Sequence, residues 1–167
     1  MSLELIKEND PQLLEVSEPW DFEVDGDPSQ LVTYMKEVMA DHGGIGLSAI
    51  QCGVKKRVFI MGTIDNFVVC INPAIVAISD ERVLDQEGCL SFPELWMKVK
   101  RPAGVSVKYQ TVSGKEVEDT LMGFQARIFL HEYDHGLGIT FDQRVGDLTL
   151  KMAKEKRKKW LSRLPRL

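Results

Sequence analysis

The chain holds 167 residues, the size of one ordinary domain, since domains usually contain about 100 to 200 residues. Its 44% of hydrophobic residues suffice for a buried core, and with 28% of charged residues they exclude an intrinsically disordered chain. The formal net charge is −4, but Lys151–Leu167 carries eight basic residues and one acidic residue, a net of +7, so residues 1–150 carry −11. This acidic body excludes broad nucleic-acid binding outside the tail, and we expect no sequence-specific nucleic-acid partner.

Neither a membrane span nor a secretory signal is predicted. No stretch approaches the roughly 18 apolar residues of a span, because Asn72 and Pro73 interrupt the most apolar run, Phe67–Ile78. Met1–Asp10 contains acids and lacks a basic region followed by an apolar run. The three cysteines are odd in number and scattered, which argues against a disulfide framework. We therefore expect a cytoplasmic protein without membrane contact.

The first predicted helix begins at Asp27 and ends at Gly43. Asp27 is a favoured N-cap residue, Pro28 suits the first helical position, and Gln30 stands where a capping box has Glu or Gln. Apolar residues then recur at helical spacing over residues 31–39, which predicts a stripe that packs in the core.

Short apolar runs with turn residues between them predict strands in the next part of the chain. The runs cover residues 58–61, 67–71, 74–78 and 105–109. Ser113 and Gly114 lie between the last of these runs and residues 116–121, and they predict a hairpin turn.

A second long helix is predicted from about Thr120 to His135, because this segment has few β-branched residues and no proline. The order helix, strands, helix favours an α+β fold with mostly antiparallel strands around this central helix. The basic segment at the end of the chain has good helix formers and predicts a loosely packed C-terminal helix. We therefore divide the chain into a main domain, residues 1–150, and a tail, residues 151–167.

The segment His131–His135 within the second helix has the HExxH pattern. Residues four apart face the same side of a helix, so His131 and His135 can bind one metal ion while Glu132 reaches its bound water. A solvated polar helix face is the alternative, but a chain with only three histidines rarely produces this pattern by chance. The motif therefore predicts a metal site with an acid/base carboxylate beside it.

A catalytic metal site needs a third protein ligand and an open position for water. The metzincin arrangement is excluded, since Phe141 stands where the third histidine would lie. Asp142 and Asp147 are acidic candidates, as acids serve in other zincins. Cys89 is a thiolate candidate, because a cysteine before a turn that ends at Pro93 can sit on an open strand edge.

The other cysteines and the third histidine have structural interpretations. Cys52 and Cys70 are expected to be small buried hydrophobes, since Cys70 lies inside an apolar strand. His42 is expected to end the first helix next to Gly43.

The segment Gly44–Gln51 combines small residues with a terminal glutamine. It lacks the third glycine of a dinucleotide fingerprint and follows a helix rather than a strand. Read alone, it is typical of a helix C-cap and a tight turn. Small residues ending in Gln can also bring backbone and a side-chain amide close to a ligand.

Three segments together resemble the peptide deformylase family, whose members share motifs of the form GxGLxAxQ, EGCLS and HExDH. The sequence has Gly44–Gln51, Glu87–Ser91 and His131–His135 in the same order, and the resemblance extends from residue 3 to about residue 146. Ser48 stands where the family commonly has Ala. The resemblance implies that residues 1–150 are a catalytic metallohydrolase domain that removes the formyl group from formyl-methionyl polypeptides and releases formate.

The resemblance also assigns roles to individual residues. The implied metal ligands are Cys89, His131 and His135. The implied catalytic groups are Glu132 as acid and base, and Gln51 with the backbone N–H of Leu90 as oxyanion donors. The residues expected to bind the methionyl substrate are Ile45, Gly46, Phe124 and Ile128, with plain core packing as the alternative for the three apolar ones.

The cofactor implied by the resemblance is one divalent metal ion, Fe(II) first, with Zn, Ni or Co as alternatives that ligand type does not separate. The implied partners are formyl-methionyl peptides and, through the basic tail Lys151–Leu167, the ribosome; a solvated terminal helix is the alternative for the tail. Two other functions stay open. One is a zincin-type metallopeptidase, in which an acid replaces Cys89 as ligand. The other is a noncatalytic metal or thiol sensor, in which Glu132 is dispensable.

Overall fold

The computed structural model describes residues 3–165, which form three α-helices, seven β-strands and three short 3-10 helices. The α-helices are α1 (Ser29–Asp41), α2 (Gly123–Gly136) and α3 (Asp147–Ser162). The strands are β1 (Gly46–Ser48), β2 (Val58–Gly62), β3 (Phe67–Ile78), β4 (Arg82–Cys89), β5 (Phe92–Pro102), β6 (Gly104–Gln110) and β7 (Glu116–Met122). The 3-10 helices cover Pro11–Leu14, Ala49–Cys52 and Phe141–Arg144. None of the helices in the described part of the chain is long and apolar enough to cross a membrane.

A five-stranded antiparallel sheet in the order β1-β2-β3-β6-β7 forms the centre, and β4 and β5 form a separate antiparallel hairpin. Helix α2, which carries the HExxH motif, packs on the sheet through Ala126 and Phe129, both fully buried. The Phe129 ring meets Phe59 of β2 edge-on, with ring centroids 5.1 Å apart. The predicted α+β class with mostly antiparallel strands is confirmed.

Two further core clusters support the elements around α2. In the first, Met39 of α1 packs with Leu47 of β1, so the apolar stripe of α1 lies in the core as predicted. In the second, Phe92 and Leu95 of β5 pack around Phe141, and the rings of Phe92 and Phe141 meet edge-on at 5.5 Å. These clusters support β1 and the β4–β5 hairpin, both of which contact α2.

Helix α1 begins at Ser29, two residues after the predicted N-cap. The Asp27 carboxylate accepts a hydrogen bond from the Ser29 N–H at 2.9 Å, so Asp27 still caps the helix start from outside it. Pro28 precedes the helix instead of occupying its first position. Gln30 donates to the Tyr34 hydroxyl, so the predicted capping box is wrong.

Strand β3 unites the two runs predicted at residues 67–71 and 74–78. Asn72 has a φ of +50°, and the register of β3 against β6 shifts around it. The Asn72 side chain holds this bulge by donating to Gln110 Oε1 at 2.8 Å. Pro73 has no N–H to donate and is tolerated at such a bulge. The polar break in the sequence therefore marks a bulge rather than the end of a strand.

Helix α2 begins at Gly123, and the predicted start at Thr120 is wrong. Residues up to Met122 continue β7, which pairs with β6 as far as Met122 opposite Gly104. Gly123 has a φ of +58°, a left-handed backbone that glycine adopts without strain, and there the chain turns from strand to helix. A composition that favours a helix does not show where the pairing of β7 with β6 ends, so it does not locate the start of α2.

Helix α3 lies against β5 and the N-terminal segment. Leu150 and Ala153 pack on the core cluster of β5. Arg157 donates to Glu8 Oε1 at 2.6 Å and to the Pro93 carbonyl at 3.3 Å. Most other side chains of α3 are exposed, so the helix predicted for the tail is present and rests on the body along one face only.

Candidate active site

Cys89, His131 and His135 come together at one point between α2 and the end of β4. Their potential ligand atoms all lie within 4.8 Å of one another, and Cys89 Sγ is 3.4 Å from His135 Nε2. Both histidines are buried and Cys89 is half-buried. A thiolate with two imidazoles is a donor set that suits a borderline divalent metal, and three protein ligands leave a fourth position open. The residues present therefore fit one catalytic metal ion.

The two imidazoles are oriented for binding through Nε2. His131 Nδ1 lies 3.0 Å from Glu87 Oε2, which leaves the opposite ring nitrogen to face Cys89. His135 directs Nε2 at Cys89, and its buried Nδ1 has no hydrogen-bond partner among residues 3–165. Burial is the main cause that holds the pKa of His135 well below its usual value. A neutral imidazole is the form that binds a metal.

Glu87 is the centre of a buried ion network behind His131. Its carboxylate accepts from Arg101 Nε at 2.8 Å and Nη2 at 3.0 Å, and from Arg127 Nη1 at 2.9 Å. Arg101 continues to Asp134 on α2 through Nη1 at 2.6 Å. Burial raises the pKa of Glu87, but hydrogen bonds from His131 and Arg101 outweigh it and lower the value to about 2. The network ties the strand before Cys89 to the helix that carries both histidines.

Glu132 is buried between α2 and β1. Ser48 donates from its hydroxyl to Glu132 Oε2 at 2.9 Å. The Gly46 backbone approaches the other carboxylate oxygen so closely that a Cβ at this position would collide with Oε1. Burial is the main cause that raises the pKa of Glu132, to about 7. A carboxyl in this range can both accept and return a proton near neutral pH.

Gln51 reaches the same point from the 3-10 helix after β1. Its Oε1 accepts the Ser48 N–H at 2.9 Å, so its Nε2 is directed the other way, 3.5 Å from Cys89 Sγ and 3.1 Å from Ser91 Oγ. Leu90 directly follows Cys89 and lines the same cavity. Gln51 and Leu90 therefore line the same cavity beside Cys89.

A cavity of about 300 Å³ opens over these groups. The residues predicted to bind substrate that line it are Ile45, Gly46, Phe124 and Ile128. Ile45 is 43% exposed and Phe124 is 60% exposed, so neither is a core residue, whereas Ile128 is half-buried and also packs on the core of α2. Trp96 also lines the cavity, with its ring against the bare Gly88 backbone. The walls of the cavity are apolar around a polar base.

The other predicted candidates lie elsewhere or have structural roles. Asp142 and Asp147 do not join the Cys–His–His group, the one such cluster found among residues 3–165. Cys52 and Cys70 are buried, and burial raises the pKa of both thiols, that of Cys52 to about 12. His42 follows α1 as predicted.

Three contributors to the site were not identified from the sequence. The sequence shows Glu87 only as part of the EGCLS motif and Ser48 only as a departure from the common pattern, and no pattern singles out Arg101. An acid two residues before a thiol ligand on one strand is a usable signal for the first of them, because metal-bound histidines commonly pair with a nearby carboxylate. The partners of Arg101 lie on other elements, so no local pattern reveals it.

Comparisons with known proteins point to one family. A family model described as polypeptide deformylase matches residues 2–151. A curated relative from Rhizobium meliloti, named peptide deformylase, is 40% identical over 144 residues, which cover 83% of this chain and 82% of the relative. A crystal structure of a peptide deformylase from Synechococcus elongatus in complex with actinonin matches with a TM-score of 0.87 and 32% identity, covering 93% of this chain and 86% of that one. One from Legionella pneumophila matches with a TM-score of 0.87 and 30% identity, covering 99% and 100%.

Proposed function

The chain belongs to the polypeptide deformylase family, and we propose that Cys89, His131 and His135 hold its catalytic metal while Glu132 moves the proton. The protein is a metal-dependent hydrolase that removes the N-terminal formyl group from formyl-methionyl polypeptides and releases formate. The observation that carries the assignment of residues is the convergence of one thiol and two imidazoles beside a buried carboxylate.

The reaction adds water to the formyl carbon and breaks the carbon–nitrogen bond. When bound, a divalent metal supplies a Lewis acid and lowers the pKa of water. Glu132 accepts a proton from the water and returns it to the departing amine, so the products are formate and a free N-terminus. Positioned acid–base catalysis of this kind contributes roughly 10² to 10⁴ in rate. The buried position of Glu132 beside the cavity supports this role.

Gln51 and Leu90 are proposed to stabilise the negative oxygen that develops on the formyl carbon. The amide of Gln51 is held by the Ser48 N–H, so its NH₂ group is aimed before substrate binds. Donors fixed in advance need no reorganisation, and the loss of one typically costs about 10² to 10³ in rate. The backbone N–H of Leu90 is the second donor in this proposal.

The apolar cavity is proposed to bind the methionine side chain of the substrate. Ile45, Phe124 and Ile128 supply apolar walls, and the bare backbone of Gly46 leaves room for the Glu132 carboxylate beside them. A formyl group carries only hydrogen on its carbonyl carbon, so a tight base of the cavity excludes an acetyl group by size. We expect poor turnover of acetylated peptides and no cleavage of internal peptide bonds.

We propose Fe(II) as the native metal and the cytoplasm as the location. A thiolate with two imidazoles also accommodates Zn, Ni and Co, so the native metal is identified by elemental analysis of protein purified without air. The matched activity test is formate release from formyl-Met-Ala-Ser by the same sample. We expect about one metal per chain together with release of formate.

Two substitutions distinguish a residue that binds the metal from a residue that acts only in catalysis. Cys89→Ala should lose the metal, whereas Glu132→Gln should keep it and lose roughly 10² to 10⁴ in turnover. Asp142→Asn is the matched control and should keep both metal and turnover. Full occupancy in Cys89→Ala with loss in Asp142→Asn would instead indicate a zincin-type peptidase. Near-normal turnover in Glu132→Gln would favour a metal or thiol sensor.

We propose that the tail, residues 151–167, is a separate functional segment that binds ribosomal RNA. Its lysines lie on exposed positions of α3, while the body of the chain is acidic. Removing the whole helix would also break the pair between Arg157 and Glu8, so charge removal is the cleaner test. Replacing Lys154 and Lys158 with Gln should weaken co-sedimentation with ribosomes and reduce its salt dependence, with peptide turnover unchanged. Equal binding by this variant would identify the tail as a solvated end.

A further inference from the structure

Ser48 is buried between the two catalytic groups proposed above. Its backbone N–H donates to Gln51 Oε1 at 2.9 Å, and its hydroxyl lies 2.9 Å from Glu132 Oε2. The residue is 3% exposed and is not part of the cavity lining. It therefore contacts the proposed base and the proposed oxyanion donor without meeting substrate.

The two carboxylate oxygens of Glu132 have different surroundings. Oε2 is engaged by the Ser48 hydroxyl. Oε1 faces the bare backbone of Gly46, and no hydrogen-bond donor among residues 3–165 reaches it. Oε1 is thus the oxygen left for the proton of the reacting water.

We propose that Ser48 is a positioning residue that holds the Glu132 carboxylate in one orientation beside the cavity. This inference rests on the proposed role of Glu132. Gly46 and Ser48 are two residues apart on β1 and so face the same side of the strand. One strand face therefore confines the carboxylate on both sides, by close backbone contact at Oε1 and by a hydrogen bond at Oε2.

The same hydroxyl also lies 2.9 Å from the main-chain oxygen of Glu132. It thus sits between the helix backbone and the side chain of one residue, 84 positions away in the sequence. A rotation of the Glu132 side chain away from the cavity would lose the contact with Oε2, which leaves a buried carboxylate oxygen without a donor. The hydrogen bond therefore opposes that rotation.

Ser48→Ala removes the hydroxyl and, with it, its contacts with Oε2 and the main-chain oxygen of Glu132. Alanine is smaller than serine, so it fits the same place, and the backbone N–H that holds Gln51 is retained. The Gln51 side chain therefore keeps its backbone donor in the variant, whereas the hydroxyl, which also accepts the Gln51 backbone N–H, is lost. Ser17→Ala is the matched control, because Ser17 is also buried and its hydroxyl has no hydrogen-bond partner in the described part of the chain.

The kinetic test measures kcat and KM for formyl-Met-Ala-Ser, with metal content determined in each sample. We expect kcat of Ser48→Ala to fall by about tenfold, because part of the rate contribution of the positioned base is lost. The KM and the metal content should stay within about twofold of wild type. Ser17→Ala should keep all three values. A kcat for Ser48→Ala within about twofold of wild type, or a fall that Ser17→Ala shares, overturns the proposal. A fall in the kcat of Ser48→Ala that is explained by loss of metal would also overturn the proposal.

A second measurement separates this proposal from the proposed function. In crystal structures of wild type and Ser48→Ala, we expect the Glu132 carboxylate to keep one orientation in the wild type and to turn from it in the variant. An unmoved carboxylate in Ser48→Ala would overturn the positioning role. Wild-type protein that releases no formate would refute the proposed function, while the comparison of the two structures would still decide the role of Ser48.

Discussion

The buried network around Glu87 predicts a large loss of stability when its charge is removed. Glu87 is 5% exposed, and two guanidinium groups, those of Arg101 and Arg127, donate to its carboxylate. Replacing Glu87 with Gln keeps the shape of the side chain but leaves both buried cations without this counter-charge. Removing one partner of a buried ion pair typically costs about 3 to 5 kcal/mol.

The pKa of Glu87 gives an independent magnitude for the same change. Burial raises this pKa, but hydrogen bonds from His131 and Arg101 lower it from 4.5 to about 2. A lowering of that size corresponds to about 3 kcal/mol in favour of the folded protein when the carboxyl is ionised. Because the folded pKa lies below the unfolded one, the contribution is complete above pH 4.5 and is lost as the pH falls toward 2.

Equilibrium urea unfolding of metal-free wild type and Glu87→Gln measures this effect. At neutral pH we expect the free energy of unfolding to fall by about 3 kcal/mol, and the difference to narrow as the pH falls below 4.5. Asp85→Asn is the matched control, because Asp85 is an exposed carboxylate on the same strand and should change stability by less than about 0.5 kcal/mol. A difference below about 1 kcal/mol for Glu87→Gln at neutral pH would refute the reasoning.

Three further substitutions address separate contacts. Gly46→Ala places a methyl group against the Glu132 carboxylate, so formate release should fall by at least about tenfold while metal content is kept; normal turnover would contradict the close approach. Phe129→Ala deletes a fully buried ring and should lower the free energy of unfolding in urea by about 3 to 5 kcal/mol, a loss that a well-filled core requires. Arg157→Gln removes the ion pair with Glu8 and should lower the thermal unfolding midpoint by only a few degrees, with peptide turnover unchanged; loss of turnover would tie α3 to catalysis.

The site was predictable where local geometry or a motif determined it. His131 and His135 lie one helical turn apart, so their spacing alone predicted a shared metal. Cys89 is 46 residues from His135 and reaches it only because the β4–β5 hairpin lies against α2, so spacing left the third ligand open. The resemblance of three motifs to those of the peptide deformylase family indicated Cys89 as the third ligand. The contact of Ser48 with Glu132 depends on packing of β1 against α2, which a single sequence does not express.

Strand β5 shows why part of the fold was not predicted. Its inward positions Leu95, Met97 and Val99 are buried, and the next inward position is Arg101, a charge whose acidic partners lie on β4 and α2. Trp96 on the outward face is 56% exposed. A buried cation and an exposed aromatic residue both reverse the expected polarity, so the alternation that identifies a strand is obscured.

The pair between Arg157 and Glu8 joins residues 149 positions apart, and this bears on how the protein folds as it is synthesised. The N-terminal segment also lies across the site, since Ile6 N–H donates to the Gln51 carbonyl and Glu8 N–H donates to the Ser91 carbonyl, both at 2.7 Å. Contacts so distant in the chain form late, because the loop between them must first be closed. In the nascent chain α2 is synthesised before α3, so the N-terminal segment that contacts Gln51 can pair with Arg157 only after α3 has emerged from the ribosome.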